Sequence, residues 1–507
     1  MDDKVIVTNR TAMLRKYGTK GAAAVVKALK ALLAADKKRG ISTRVVFLDD
    51  AATMKKLKGK AVTNAADPRQ AKGAVDAVFR GLDPDYLMIL GAPDVVPHQD
   101  LKNLAGDDDD VAWGDLPYAC EAPYSRNPEA FIGPTRVVGR VPDLSGATEP
   151  SYLLGLLRTA AGYVRRPQAD YLDYFGLSAD VWKGSTTLSL ENVFGNSNGL
   201  LLAPPSGPAY PGGELKARMH FINCHGGSAS PEFQGQRGSS YPVALTTRHT
   251  AGRITEGAVA AVECCYGAEL YDSVTLGLDI PICQSYLKQG AYAYFGSTTI
   301  AYGPADTNGA ADLICQYFLL NLLDGASIGR AALLARQQFV DGVAQMDPID
   351  LKTLSQFCLL GDPSVHPVRS AAAAGVPKGL AGGEVERFFR AERRAKLRQA
   401  GAYLRKTKPT AAKREEKAAI APKVRTALSN IAAQAGLRRA QPFGAFGVKR
   451  PAGAGALAGK ASATPTRYHV AVGLPAGAAQ DSRMLLVAVV AKELDGRIVG
   501  YRIYHRR

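Results

Sequence analysis

Two short segments of this 507-residue chain carry residue types that can perform nucleophilic chemistry. In MHFINCHGGSAS an apolar run leads straight into His225-Gly226-Gly227. In GAVAAVECCYGAEL a second apolar run ends at Cys264-Cys265 and turns at Gly267. A thiolate is a strong nucleophile, and a nearby imidazole lowers the thiol's pKa or takes its proton. Acyl transfer also needs donors for a tetrahedral oxyanion, and the backbone N–H groups of Gly226 and Cys265 are natural candidates. A lone histidine is more often structural. One that follows a strand, precedes Gly-Gly and lies 40 residues before a Cys-bearing strand end favours the catalytic reading. Neighbouring strand residues face opposite sides, so one cysteine of the pair can face the site while the other packs inward. Cys264 reads as the buried one. Zinc held by Cys224, His225, Cys264 and Cys265 is disfavoured, because each pair is adjacent and lacks the gap of about two to four residues usual in chelation. Neither a metal nor a cofactor is expected.

Both segments need rigid support, and the flanking sequence predicts it. DKVIVTN, TRVVFLDD and YLMILGAPDVVP read as strands separated by helical patterns at Lys20 to Lys38 and Asp67 to Arg80. A second block begins near Ala169, with strands DYFGLSA, ARMHFINC, GAVAAVEC and GAYAYFG, helical patterns from Gly309 to Leu323 and from Ile328 to Val340, and a closing QFCLLGDPSVHPV. Near-continuous apolar strands alternating with helices predict a mostly parallel sheet flanked by helices. Reactive groups in such sheets collect outside the carboxyl ends of the strands, where His225 and Cys265 fall. Asp107 to Asp110 form an acidic run that could hold a cation, although a solvated loop is the more frequent outcome.

Taken together, INCHGGS around His225, AVECCYGAEL around Cys265, AYAYFGSTTIAYG from Ala291 and CLLGDPS from Cys358 resemble the gingipain-type, CHAT-like branch of the caspase-like (clan CD) cysteine peptidases. YLMILGAPDVVP and RVVGRVPDL resemble the smaller α/β subdomain that precedes the catalytic unit in that group. The resemblance spans roughly residues 80–368. It implies a caspase-like fold and a cysteine endopeptidase with His225 as acid/base and Cys265 as nucleophile, Cys264 being the small neighbour. Gly267 departs from the pattern: relatives often have Gly three positions after the nucleophile, and here it lies three after Cys264 and two after Cys265, which keeps Cys264 as the alternative. The resemblance also implies a deep pocket that selects Arg or Lys through an acid at the end of the strand before the histidine strand. Asp180, 45 residues before His225, has that position, with Ser297, Thr298 and Tyr302 as a wall. Asp180 could equally cap the following turn, and Glu191 or the Asp107–Asp110 run could supply the acid instead.

Composition sets the wider frame. With 46% hydrophobic and 21% charged residues the chain reads as globular. Its N-terminus lacks a basic-then-apolar leader, no apolar run suits a membrane span, and the seven cysteines mostly lie in apolar runs, so a cytoplasmic protein with free thiols is expected. Between Ala371 and Arg507 there are 27 Lys and Arg against 8 Asp and Glu, so this last quarter carries +19 and the remainder −2 of the net +17. The expected organisation is an α/β subdomain over 1–165, a catalytic domain over 166–369, a basic helical arm and linker over 370–465, and a small β segment over 466–507. Besides a protein substrate, the arm at 384–429 could meet an acidic protein or nucleic-acid phosphates. The charge break predicts an extension separable near Ser370.

Overall fold

A computed structural model of the chain describes residues 2–343, 345–369, 389–408, 410–415, 420–437, 443–449, 466–475 and 485–507. Ten strands form one sheet. In chain order they are β1 (Lys4–Thr8), β2 (Thr43–Phe47), β3 (Tyr86–Leu90), β4 (Val138–Val141), β5 (Tyr174–Ala179), β6 (Leu200–Ala203), β7 (Met219–Asn223), β8 (Val259–Val262), β9 (Ala293–Ser297) and, after the short outlying β10 (Tyr302–Gly303), β11 (Phe357–Leu360). Their spatial order is β2-β1-β3-β4-β11-β9-β8-β7-β5-β6. All pairings are parallel except β9 with β11, where Tyr294 faces Leu360 and Ser297 faces Phe357. The sheet is thus two five-strand parallel sets running in opposite directions. The predicted mostly parallel, helix-flanked α/β architecture is the one observed.

Strands such as KVIVT, YLMIL and VAAV are buried at every residue, as parallel strands covered on both faces must be. One covering layer contains α1 (Arg10–Lys38), α3 (Ser151–Gly162) and α5 (Ile282–Lys288). The other contains α4 (Lys183–Phe194), α6 (Ala311–Leu323), α7 (Ile328–Gly342) and α8 (Pro348–Gln356). A further helix of the first block, α2 (Pro68–Leu82), starts from an Asp67 cap with proline in its first turn. The two blocks read from the sequence do not close as separate sheets. β11 comes from the end of the second block but runs parallel to β4 of the first, and so joins them through Leu360 and Arg140.

The basic extension is folded onto this body. It contains α9 (Arg390–Thr407), β12 (Thr410–Arg414), α10 (Pro422–Gln434), β13 (Gly444–Lys449), β14 (Arg467–Gly473), β15 (Val487–Leu494) and β16 (Arg497–Arg506). A second sheet runs β10-β16-β15-β14-β13-β12, so the body's own β10 is its edge. Asp495 and Gly496, both at positive φ, make the tight two-residue turn between β15 and β16. Where a small β segment is expected, β14, β15 and β16 form antiparallel strands within this six-stranded sheet. The expected linker differs: residues 444–449 are strand β13, while 450–465 lie outside the described residues, as do 384–388 and 416–419 of the arm. Phe446, Tyr468, Val470, Ala488, Val490 and Tyr504 join the same apolar cluster as Phe295, Phe318 and Phe357 of the body. Arginines of α9 also reach acids of the first block: Arg390 pairs with Asp3 at 3.3 Å and Asp85 at 3.4 Å, and Arg394 with Asp85 at 3.1 Å and with Asp83. These arginines of the basic extension thus meet acids within the chain. No helix among the described residues is long and apolar enough to cross a membrane.

Candidate active site

β7 and β8 are adjacent and parallel, with Ile222 opposite Val262, so the segments that leave them emerge side by side. His225 and Gly226 pair antiparallel with Gln234 and Phe233. The two loops touch closely at Gly226, where a Cβ would overlap the Cys265 carbonyl oxygen. Only glycine fits there, which gives the His-Gly pair a packing reason.

The His225 ring is buried and packs against Trp182 at 4.3 Å and Tyr241 at 5.5 Å between centroids. Its Nε2 lies 2.7 Å from Gln236 Oε1. The Gln236 amide nitrogen is committed to Tyr241 Oη at 2.8 Å and the Gly238 carbonyl at 3.0 Å, so its oxygen faces the ring and His225 Nε2 donates. That leaves Nδ1 as the basic nitrogen, buried and without a hydrogen-bond partner among the described residues. Burial first, then the Arg506, Arg507 and His505 charges against the opposing Gln236 bond, push the His225 pKa down to about 3. The imidazole is therefore neutral at physiological pH.

Alternation along β8 and beyond separates the two cysteines. Val259, Ala261 and Cys265 belong to the apolar cluster under α6, whereas Ala260, Val262 and Cys264 belong to the cluster on the opposite face. Cys264 Sγ accepts the Cys224 N–H at 3.3 Å. Cys265 Sγ accepts the Ala301 N–H at 3.2 Å, and burial raises its pKa while the Arg506 guanidinium opposes the rise. Among the described residues no hydrogen bond joins Cys265 directly to His225.

The groove between these loops and β10 is filled by the end of the chain. Tyr302 faces Arg506 and Gly303 faces His505 in antiparallel register, and the Arg507 N–H donates to the Ala301 carbonyl at 3.0 Å. The Arg507 carbonyl oxygen accepts from Cys265 N at 3.2 Å and Gly226 N at 3.4 Å, so the two candidate oxyanion donors converge on one oxygen. The Arg507 guanidinium is fully buried. It stacks on Trp182 at 4.5 Å and bonds the Pro304 carbonyl at 2.7 Å, Asp312 at 3.1 Å and Ser185 Oγ at 3.2 Å. Glu263 lies 3.8 Å from Nε. At Gly303 any Cβ would overlap the guanidinium, so glycine keeps the pocket open. Burial, reinforced by the Asp312 charge, pushes Glu263 well up, and burial also raises Asp312 against the opposing Arg507 charge. Two buried acids this close disfavour each other's ionisation, and Asp312 is the one in direct contact with the guanidinium.

The other residues singled out from the sequence lie elsewhere in this geometry. Asp180 opens a 3-10 turn and accepts from Arg237 Nε at 2.8 Å; it is not among the groups contacting Arg507. Ser297 and Thr298 turn their hydroxyls to the Thr299 and Trp113 carbonyls. Tyr302 contributes its backbone to the groove and sends its hydroxyl to Asp107 at 2.9 Å. Glu191 accepts from the Ser197 hydroxyl at 3.3 Å. The acidic run is not an open cation loop: Asp107 and Asp109 pair with the buried Lys352 at 2.5 and 2.7 Å. One cluster, His98, Asp115 and Cys358, brings metal-ligand atom types within 4.8 Å of one another, but Arg140 already grips Asp115 through Nε and Nη2 at 2.8 and 2.6 Å. Sequence reasoning missed Glu263, Asp312 and Arg507. The signal for Glu263 was present, since a carboxylate inside the apolar run VAAVECC must find a buried partner.

No protein-family model and no curated protein matches the chain. Among solved structures, one described as a complex of Porphyromonas gingivalis RgpB pro- and mature domains is similar at TM-score 0.49 and 12% identity, covering 72% of this chain and 80% of that one. Another, described as the structure of a protease, is similar at TM-score 0.48 and 15% identity, covering 99% and 90%. At this level of likeness, what the site does must be read from its own side chains.

Proposed function

We propose that the protein is a cysteine endopeptidase of the caspase-like kind that cuts after arginine or lysine, with His225 and Cys265 as its dyad. The observation that carries this reading is the placement of Arg507. Its carbonyl oxygen receives the N–H groups of Gly226 and Cys265, its own N–H bonds a strand edge, and its side chain enters an acid-lined pocket. A substrate carbonyl held there would have its oxyanion stabilised by the same two donors.

The steps follow from the proton positions. His225 Nδ1 takes the proton from Cys265, and the thiolate attacks the carbonyl carbon of the basic residue. The oxyanion forms against the Gly226 and Cys265 N–H groups. On collapse the imidazolium gives its proton to the leaving amine and a thioester remains. Water, deprotonated by His225, then releases the carboxylic acid and regenerates the thiol. Glu263 and Asp312 select the side chain, because a guanidinium or ammonium entering a buried acid pocket makes charge-assisted bonds that a neutral side chain cannot.

The test uses the chain carrying Arg507→Ala, which empties the pocket, with an arginyl chloromethyl ketone and a fluorogenic arginyl peptide. Cys265 should be alkylated and the peptide hydrolysed. Adding Cys265→Ala should remove turnover by on the order of 10⁴-fold or more, and adding His225→Ala should cost about as much, since the pair acts as one unit. Cys264→Ala should keep most of the rate. Label on Cys264 instead would reverse the nucleophile, and absence of both label and hydrolysis would leave a non-catalytic scaffold.

A further inference from the structure

The groove is built for a strand with a basic end, and one is already in it. β16 lies between β15 and β10, paired with Val487–Leu494 on one side and with Tyr302–Gly303 on the other. It is anchored short of the groove by Tyr504, whose hydroxyl reaches Asp347 at 3.2 Å, and by Arg502, which pairs with Asp347 and Asp350 at 3.3 and 3.1 Å. The last three residues, His505-Arg506-Arg507, then occupy the strand edge, the two converging N–H donors and the acid pocket together. No second strand can use those groups while they remain.

We infer that this end of the chain is a tethered ligand of its own site, and that the groove accepts a basic-ended strand from another chain only after His505-Arg506-Arg507 has left β10. What the groove does to an incoming strand rests on the peptidase reading above; that it is filled in cis does not. A short tether gives such a segment an effective concentration in the millimolar range, so modest affinity for the pocket keeps the site closed. Strand addition also supplies main-chain bonds that do not depend on the side chains of the occupant. The pocket supplies the discrimination, through Glu263, Asp312 and the face of Trp182. Latency is then a property of a few residues at the end of β16, while the rest of the extension remains a structural part of the molecule.

The experiment separates occupancy from chemistry. The probe is a fluorescein-labelled His-Arg-Arg peptide, read by polarisation on two full-length proteins that cannot turn over, Cys265→Ala and Cys265→Ala/Arg507→Ala. The double variant should bind at least ten-fold more tightly than the single one. Arg507→Lys in place of Arg507→Ala should restore most of the closure, because the charge remains. Deleting Arg507 alone provides a second opening that leaves β16 intact, should the Ala variant lose its circular dichroism signature. Equal binding to the closed and opened proteins overturns the inference, and so does absence of binding to both. If the opened protein binds while its Cys265-bearing counterpart hydrolyses no arginyl peptide, cis occupancy stands and the peptidase reading falls.

Discussion

The molecule presents two pairs of acids on either side of β10, each buried against one cation, and the pairs differ in where that cation comes from. Asp107 and Asp109 meet Lys352, which belongs to α8 in the body. Their oxygens are satisfied many times over: Asp109 also accepts from Tyr266 Oη at 2.7 Å and Ile300 N at 2.8 Å, and Asp107 from Tyr302 Oη at 2.9 Å and Asn103 Nδ2 at 2.6 Å. Glu263 and Asp312 meet Arg507, delivered by the last strand, but Glu263 is hydrogen-bonded to Asp312 and lies 3.8 Å from the guanidinium, beyond hydrogen-bond distance. The first pair behaves as structure. It locks Tyr302 and with it the strand edge. The second fits its present occupant less completely, which supports the proposal that this occupant is exchangeable. A buried ion pair is weak evidence for stability by itself; here the completeness of its hydrogen bonding distinguishes scaffold from site.

The largest effect that would sharpen this contrast is on selectivity. In the chain opened by Arg507→Ala, Asp312→Asn should lower kcat/KM for an arginyl peptide by on the order of 10³-fold, since a buried guanidinium loses the acid in direct contact with it. Asp180→Ala should change selectivity little, because Asp180 faces Arg237 instead. An Asp180→Ala enzyme that alone loses its basic preference would move the pocket back to where the sequence suggested.

The next effect is on stability. Lys352→Met leaves two buried carboxylates without their cation and should cost about 3 kcal/mol in urea unfolding. Arg507→Met should cost less, about 1 kcal/mol, because Glu263 and Asp312 can take up a proton when the guanidinium is withdrawn. Equal losses would mean that both pairs are structural. Removing everything beyond Ser370 is a different matter. It strips Tyr468, Val490 and Tyr504 from the shared apolar cluster, so the truncated body should be less stable than the full chain, in contrast to the separable arm that the charge break suggests.

What could be read from the sequence depended on how local its cause was. The placement of His225 and Cys265 side by side outside adjacent strand ends is legible because strand ends, glycines and period-two alternation are written within a dozen residues each, and the same alternation puts Glu263 on the face of Cys265. Position relative to a strand points to Asp180, whereas the need of a buried charge for a partner points to Glu263. The extension shows the opposite limit. Its charge break is plain in the composition, but the acids it meets, Asp3, Asp83 and Asp85, are scattered over the first block and come together only through the sheet. The convergence of Gly226, Cys265 and Arg507 spans 281 residues and leaves no local trace.

The smallest predicted effect, in pH dependence, probes the exchangeable pair most directly. In the closed chain the His225 pKa is pushed down to about 3, by burial and by the charges of Arg506, Arg507 and His505, against an ordinary value of about 6.5. A group with a depressed pKa of this kind binds fewer protons folded than unfolded between those two values. Its contribution is therefore fully present above about pH 6.5 and is lost as the pH falls towards 3, with a slope of up to about 1.4 kcal/mol per pH unit. His98 and His220 are also depressed by burial, so the total slope does not isolate His225. The difference between two proteins does. In Cys265→Ala/Arg507→Ala one of the depressing charges is gone and water enters the groove, so the His225 midpoint, read from its ring proton by NMR, should move up towards 6.5 relative to Cys265→Ala alone. The acid limb of the stability curve should flatten by about 1 kcal/mol at pH 5. An unchanged midpoint would mean that the protein body alone desolvates His225, and that the last strand covers the site without controlling its chemistry.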